Sequence, residues 1–315
     1  MSRSRLVLLI LVLLAGSLIW WSQRSSQQET KPDSAPEAAS NPDATHRQTL
    51  QRAKTLATTA PQQARSLLES IPEHSAQFRE AQRFLAGLAM LMKDWQTSLQ
   101  ILDKLLLQAP NDPALLLAYS QSCFQTENYM QSLNAARELV GAQPDSIEGW
   151  LLIADSLERL GRRSESLEPL QQAIRLEPGS RQIRLSLATT LFALGQLQTA
   201  LKEVQNCDQD DVDVMLLQAQ IQQEMGRHEA ALESVERILQ KSPKHLAAQK
   251  LLAELLVFQQ DYDRALSVLE SLARPKEQDR HLLQQLIIAA QRSGDIEKAK
   301  RYRDQLQELL LKNGP

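Results

Sequence analysis

The stretch GWLLIADSLERLGRRSESLEPLQQAIRLEP, Gly149 to Pro178, carries regular punctuation and little chemistry. Trp150 is followed four residues on by the small Ala154; then come Leu160-Gly161, the small Ser166 and the closing Pro178. None of these is an obvious acid, base, nucleophile or metal ligand. The pattern therefore serves packing, and what it means depends on whether it recurs.

It recurs along most of the chain. With Leu160-Gly161 as the phase marker, Met92-Lys93, Thr126-Glu127, Leu194-Gly195, Met225-Gly226, Gln259-Gln260 and Ser293-Gly294 fall at equivalent points. The steps are 34 residues, with a single step of 31 between Leu194 and Met225. Units then begin near Thr45, Arg79, Pro113, Ile147, Arg181, Val212, Leu246 and Arg280, and Thr58-Thr59 marks a weaker first one. A sustained period of this size is the signature of a solenoid. Five residues after the glycine-like position stand Ala64, Ser98, Ser132, Ser166, Ala200, Ala231, Ala265 and Ala299. A position that is always Ala or Ser lets two helices cross closely. A second small position holds Ala86, Ser120, Ala154, Ala188, Ala219 and Ala253. Pro110, Pro144, Pro178 and Pro243 close the second helices, because proline cannot donate the next backbone hydrogen bond. Gly161, Gly195, Gly226 and Gly294 suit the left-handed residue that ends a first helix.

The pattern Trp150-x-x-Ile153-Ala154-x-x-Leu157, then Ser166, Leu170, Ala173 and Pro178, resembles the tetratricopeptide repeat (TPR). The resemblance runs from Thr45 to Leu311. It implies an all-α fold, a right-handed α-solenoid of about eight helix-turn-helix units occupying residues 45–312. It also implies a wall built from first helices, at the second, fifth, ninth, twelfth and thirteenth residues of each unit. Here the fifth positions hold Leu117, Leu151, Leu185 and Leu216, beside Gln121, Asp155, Thr189 and Gln220. Phe124, Phe192 and Phe258 join them and are expected to complete packing between neighbouring helices. The Leu row reads either as packing or as a docking strip for an apolar extended segment or an amphipathic helix of a partner protein. The lysine and asparagine clamp of chaperone-binding members is missing. Gln48, Gln51 and Arg52 in the first unit and Arg303 in the last are polar where other units are apolar or small, as end caps require. That reading makes the solenoid complete.

The N-terminus is of a different kind. A basic segment, residues 1–5, precedes the uncharged apolar run LVLLILVLLAGSLIWW, Leu6 to Trp21. Residues 6–22 are just long enough for a transmembrane helix. Two readings stand: a retained anchor, or a signal peptide cleaved after Ser17. Trp20 and Trp21 fit an interfacial belt and favour the anchor. Arg3 and Arg5 ahead of the run place the body outside the inner membrane, in the periplasm, by the positive-inside rule. Residues 23–44, rich in Ser, Gln, Pro and Glu, read as a disordered linker.

The rest of the 315 residues narrows function by exclusion. Net charge is −3 with Lys and Arg scattered, which argues against nucleic acid as a partner. No phosphate loop, nucleophile elbow or metalloprotease motif occurs, so the reading is a non-enzyme without cofactor or metal. Cys123 and Cys207 fall on core-facing sites, and the five histidines have no ligand spacing. Asp208, Asp210, Asp211 and Asp213 lack the glycine of a calcium loop and read as a solvated turn capping the helix near Val212. Together these point to a membrane-tethered scaffold or adaptor for assembling a bacterial cell-envelope complex. A cytoplasm-facing adaptor and a non-catalytic subunit of an envelope enzyme are the alternatives.

Overall fold

The structure, a computed structural model, describes residues 42–272 and 280–313. The apolar run and most of the linker lie outside the described residues. Among the described residues no helix is long and apolar enough to cross a membrane. They form sixteen α-helices and no strand, arranged as consecutive pairs, and they divide into two compact units at Leu160–Gly161.

The first unit holds α1 (Pro42–Leu56), α2 (Pro61–Glu69), α3 (Phe78–Leu91), α4 (Trp95–Gln108), α5 (Pro113–Gln125), α6 (Tyr129–Ala142) and α7 (Ile147–Arg159). The second opens with a 3-10 turn at Arg163–Ser166. It continues through α8 (Leu167–Leu176), α9 (Arg181–Ala193), α10 (Leu197–Gln205), α11 (Val212–Glu224), α12 (His228–Lys241), α13 (Leu246–Phe258), α14 (Tyr262–Leu272), α15 (Arg280–Arg292) and α16 (Ile296–Asn313). Odd-numbered helices are the first of each pair. Helix α1 starts at Pro42, so residues 42–44, read from sequence as linker, are helical. Proline is tolerated there because the N–H it lacks would be unpaired at a helix start.

Local rules explain the punctuation. Lys93, Glu127, Gly161, Gly195, Gly226, Gln260 and Gly294 all adopt positive φ, between 60° and 85°. These are the glycine-like positions of every helix pair but the first, so at those turns the residue is left-handed whether glycine or another residue fills it. The residue after it closes a Schellman bond in several units: Asn128 N–H donates to Cys123 O at 2.9 Å, and Arg227 N–H to Gln222 O at 2.8 Å. At the other end, Ala109, Gln143, Glu177 and Ser242 precede the four prolines, with φ from −144° to −130° and ψ from 72° to 84°. A following proline disfavours the helical region, so α4, α6, α8 and α12 stop there.

Helix α8 departs from the simple repeat. Pro169 would stand in the interior of a helix begun at Arg163, where it would clash with the Glu165 carbonyl. The chain instead takes a 3-10 turn and starts the α-helix at Leu167, leaving Pro169 in its first turn. The three-residue deletion after Leu194 is absorbed by α10, only 9 residues long against 14 in α4, α6 and α12.

All eight small residues of the first series are buried. In the first unit Leu50, Leu68, Leu85, Leu102 and Leu115 form one core, and Leu133, Ala136, Ile153 and Leu157 another. In the second, Met215, Val235, Ile238 and Leu255 pack together, as do Ala253, Leu269, Leu286 and Ala299. Where serine fills the small position its hydroxyl is satisfied. Ser120 Oγ donates to Ser132 O at 2.9 Å, and Ser156 Oγ donates to Ser132 Oγ at 3.0 Å. Gln48, Gln51, Arg52 and Arg303 are exposed, yet α16 also exposes Leu311 at 78%.

Candidate functional site

In the first unit, α5 and α7 are first helices of successive repeats; each packs on α6 and they also touch one another. Their starts are fixed by capping side chains. Asp112 accepts from Ala114 N–H at 3.0 Å, and Ser146 accepts from Gly149 N–H at 3.1 Å. Asp112 is also held by Arg83. Because the caps stand 34 residues apart, Leu117 and Leu151 occupy the same position on the two helices, and both are half-buried. They neither disappear into the core nor stand free.

The ninth positions diverge. Gln121 was expected beside an open row, but α4, α6 and α7 all crowd α5, and Gln121 keeps only 7% of its surface. Among the described residues its Oε1 finds no hydrogen-bond partner. Asp155 on α7 is exposed. Its carboxylate makes no hydrogen bond or ion pair among the described residues. Although water reaches it, dense surrounding protein desolvates it and pushes its pKa up to about 6; Glu158 adds repulsion and Arg159 opposes.

Arg159, one turn beyond Asp155, is engaged elsewhere. Its guanidinium lies 5.8 Å from the Phe124 centroid and 5.7 Å from that of Tyr129. Those two rings meet edge to face at 5.3 Å. Phe124 thus packs between neighbouring helices, as expected.

In the second unit, Leu185 on α9 and Leu216 on α11 are half-buried on first helices that touch, and Leu216 leans on the core around Met215. Thr189 is exposed and Gln220 half-buried. Phe258, expected in the packing, is instead 63% exposed. It ends α13, and one face is covered by the His228 ring, centroids 3.7 Å apart.

The aspartate turn and the cysteines read as structural. Asp211 caps α11 by accepting from Asp213 N–H at 2.9 Å, and it receives Arg181 at 2.5 Å. Asp210 pairs with Lys241 at 2.8 Å. The aspartate turn is therefore held by cations from the protein itself. Burial pushes the Cys123 thiol up to about 11 and raises that of half-buried Cys207, so neither is a ready nucleophile at neutral pH. The sequence reading missed a further set of ion pairs linking neighbouring helix pairs, such as Arg65 with Asp94 at 3.0 Å. Their signal was there: arginine stands 29 or 30 residues before a capping aspartate, just under one period.

Residues 151–206 and 222–287 match tetratricopeptide repeat family models. A tetratricopeptide repeat protein of Parabacteroides merdae superposes with a TM-score of 0.56 at 12% identity, covering 78% of this chain and 99% of that one. PilF of Pseudomonas aeruginosa gives 0.53 at 17% identity, covering 62% and 91%. YrrB, described as a TPR protein with an unusual peptide-binding site, gives 0.50 at 18%, covering 53% and 88%. Protein O-mannosyl-transferase TMTC1 of Homo sapiens is 31% identical over 98 residues, 30% of this chain and 11% of that protein. The chain thus spans about a tenth of that relative's length. The chain carries tetratricopeptide repeats in an all-helical, TPR-like solenoid fold.

Proposed function

We propose that this protein is a scaffold that binds partner proteins on the first-helix faces of its repeats and performs no chemistry itself. The observation that carries the reading is the half-buried pair Leu117 and Leu151, set side by side on packed helices. A half-exposed apolar strip of this kind accepts an extended or amphipathic segment. The peptide-binding site named for YrrB supports the same mode of use. The reading further holds the protein at the bacterial inner membrane through residues 6–22, with its repeats in the periplasm serving assembly of an envelope complex. The apolar run and the arginines ahead of it support that placement.

The test is the double variant Leu117→Glu/Leu151→Glu in the full chain, followed by a thermal melt and by crosslinking in native envelopes. The expected result is a small change in melting temperature with loss of crosslinked partners, because charge buried against an apolar ligand is costly. A drop of many degrees, or unchanged crosslinks, refutes the assignment. A reporter fused at Pro315 that works only in the cytoplasm refutes the periplasmic placement.

A further inference from the structure

The binding face of the first unit has an electrostatic character that the repeat pattern does not dictate. On the earlier helices of this unit several acids are matched: Glu80 with Lys54 at 2.6 Å, Asp94 with Arg65 at 3.0 Å, and Asp112 with Arg83. Among the described residues Asp155 is not matched. The one cation close along its own helix, Arg159, is drawn over the rings of Phe124 and Tyr129. Glu148 and Glu158 lie on the same helix, so the net charge of α7 is negative. An unpaired carboxylate in desolvating surroundings lowers stability and adds nothing to packing. Its place is one turn beyond Leu151 on the same face, about 6 Å away. On the adjacent helix, Gln121 holds the equivalent position and carries a buried acceptor without a donor.

Resting on the binding reading above, we infer that Asp155 receives a lysine or arginine side chain of a partner segment whose apolar residue sits on Leu117 and Leu151. The complementarity has two parts, an apolar strip and the negative charge of Asp155 beside it. Spacing refines the ligand. An extended strand advances about 3.3 Å per residue, so a basic side chain two residues from the apolar anchor spans the distance. In a helical ligand the same span separates residues four apart. Arg159 sets the limit of the site, repelling a second cation placed one turn further on.

The experiment selects a phage-displayed library of random 12-residue peptides on the full chain held in detergent micelles. The expected result is enrichment of peptides with Lys or Arg two or four residues from an apolar side chain. Synthetic copies should bind Asp155→Asn about tenfold more weakly, the scale of one charge-assisted contact. Exchanging the basic residue for norleucine should cost the same on the wild type and nothing further on Asp155→Asn. Enriched peptides without a basic residue, or equal binding to wild type and Asp155→Asn, overturn the inference. If those peptides still lose affinity on Leu117→Ser/Leu151→Ser, checked for folding by circular dichroism, the binding face stands without the charge. Binding unaffected by that pair, or no enrichment at all, overturns the binding reading along with the inference.

Discussion

Replacing Gly149 with alanine sets two effects of opposite sign against each other. Gly149 sits in the first turn of α7, where alanine gains about 1 kcal/mol of helix propensity. A Cβ there would stand 2.7 Å from Val140 Cγ1 and 3.1 Å from Leu139 Cδ2, because α6 passes close by. Leu139 is fully buried and valine is stiff at χ1, so neither gives way easily. Overpacking of this kind costs about 1–3 kcal/mol, leaving a net loss near 1 kcal/mol. Gly87, in the interior of α3, is the control: a Cβ there meets nothing within 4 Å. Alanine at that position should stabilise by roughly 0.5–1 kcal/mol. The two variants should thus differ by about 2 kcal/mol, which corresponds to roughly 3–4 °C in melting temperature for a protein of this size. Thermal melts followed by circular dichroism, run side by side, measure the gap. A Gly149→Ala protein melting at or above Gly87→Ala would refute the close approach of α6 to α7.

Other expectations follow from the same geometry. Glu127→Gly should raise stability by about 0.5–1 kcal/mol, since a side chain at φ 63° is strained and glycine is not, a gain read in chemical denaturation. Ser132→Ala should cost about 1 kcal/mol by stranding the buried Ser156 hydroxyl, whereas Ser132→Ala/Ser156→Ala should be close to neutral in a double-mutant cycle. For Asp155 the folded pKa of about 6 exceeds the usual carboxylate value near 3.9, so the folded form binds the proton more tightly. Its contribution therefore falls as pH rises from about 4 to about 6. Wild type should lose stability against Asp155→Asn across that window and no further above it, as melts at several pH values will show.

The repeat was legible because backbone rules dictate it. A left-handed turn, a residue held extended before proline and a crossing too close for a large side chain each restrict one position per period. Those restrictions survive in Gly161, Pro178 and Ser166 without knowledge of neighbours. What the sequence hid depends on how neighbouring helices meet. The interruption at Pro169 was visible as a letter, yet its effect follows from where the second helix would have had to begin. Gln121 and Asp155 hold one register position, but crowding around α5 closes the first and leaves the second open. The hydroxyl pairing of Ser132 with Ser156 needs the rotamer of each serine. Phe258 looked like packing because phenylalanine normally is, yet it stands exposed at the end of α13. The candidate row of leucines was found by counting, while its half-buried state came only from coordinates.

The central claim, that partners dock on the first-helix face, is tested most directly by site-specific photocrosslinking in living cells. A photoreactive phenylalanine analogue is placed at Leu151 on α7 in one strain and at exposed Glu138 on the second helix α6 in another. Covalent adducts with a discrete partner protein should form from position 151 and be missing from position 138. Adducts that form from 138 and not from 151, or equally from both, would contradict the account.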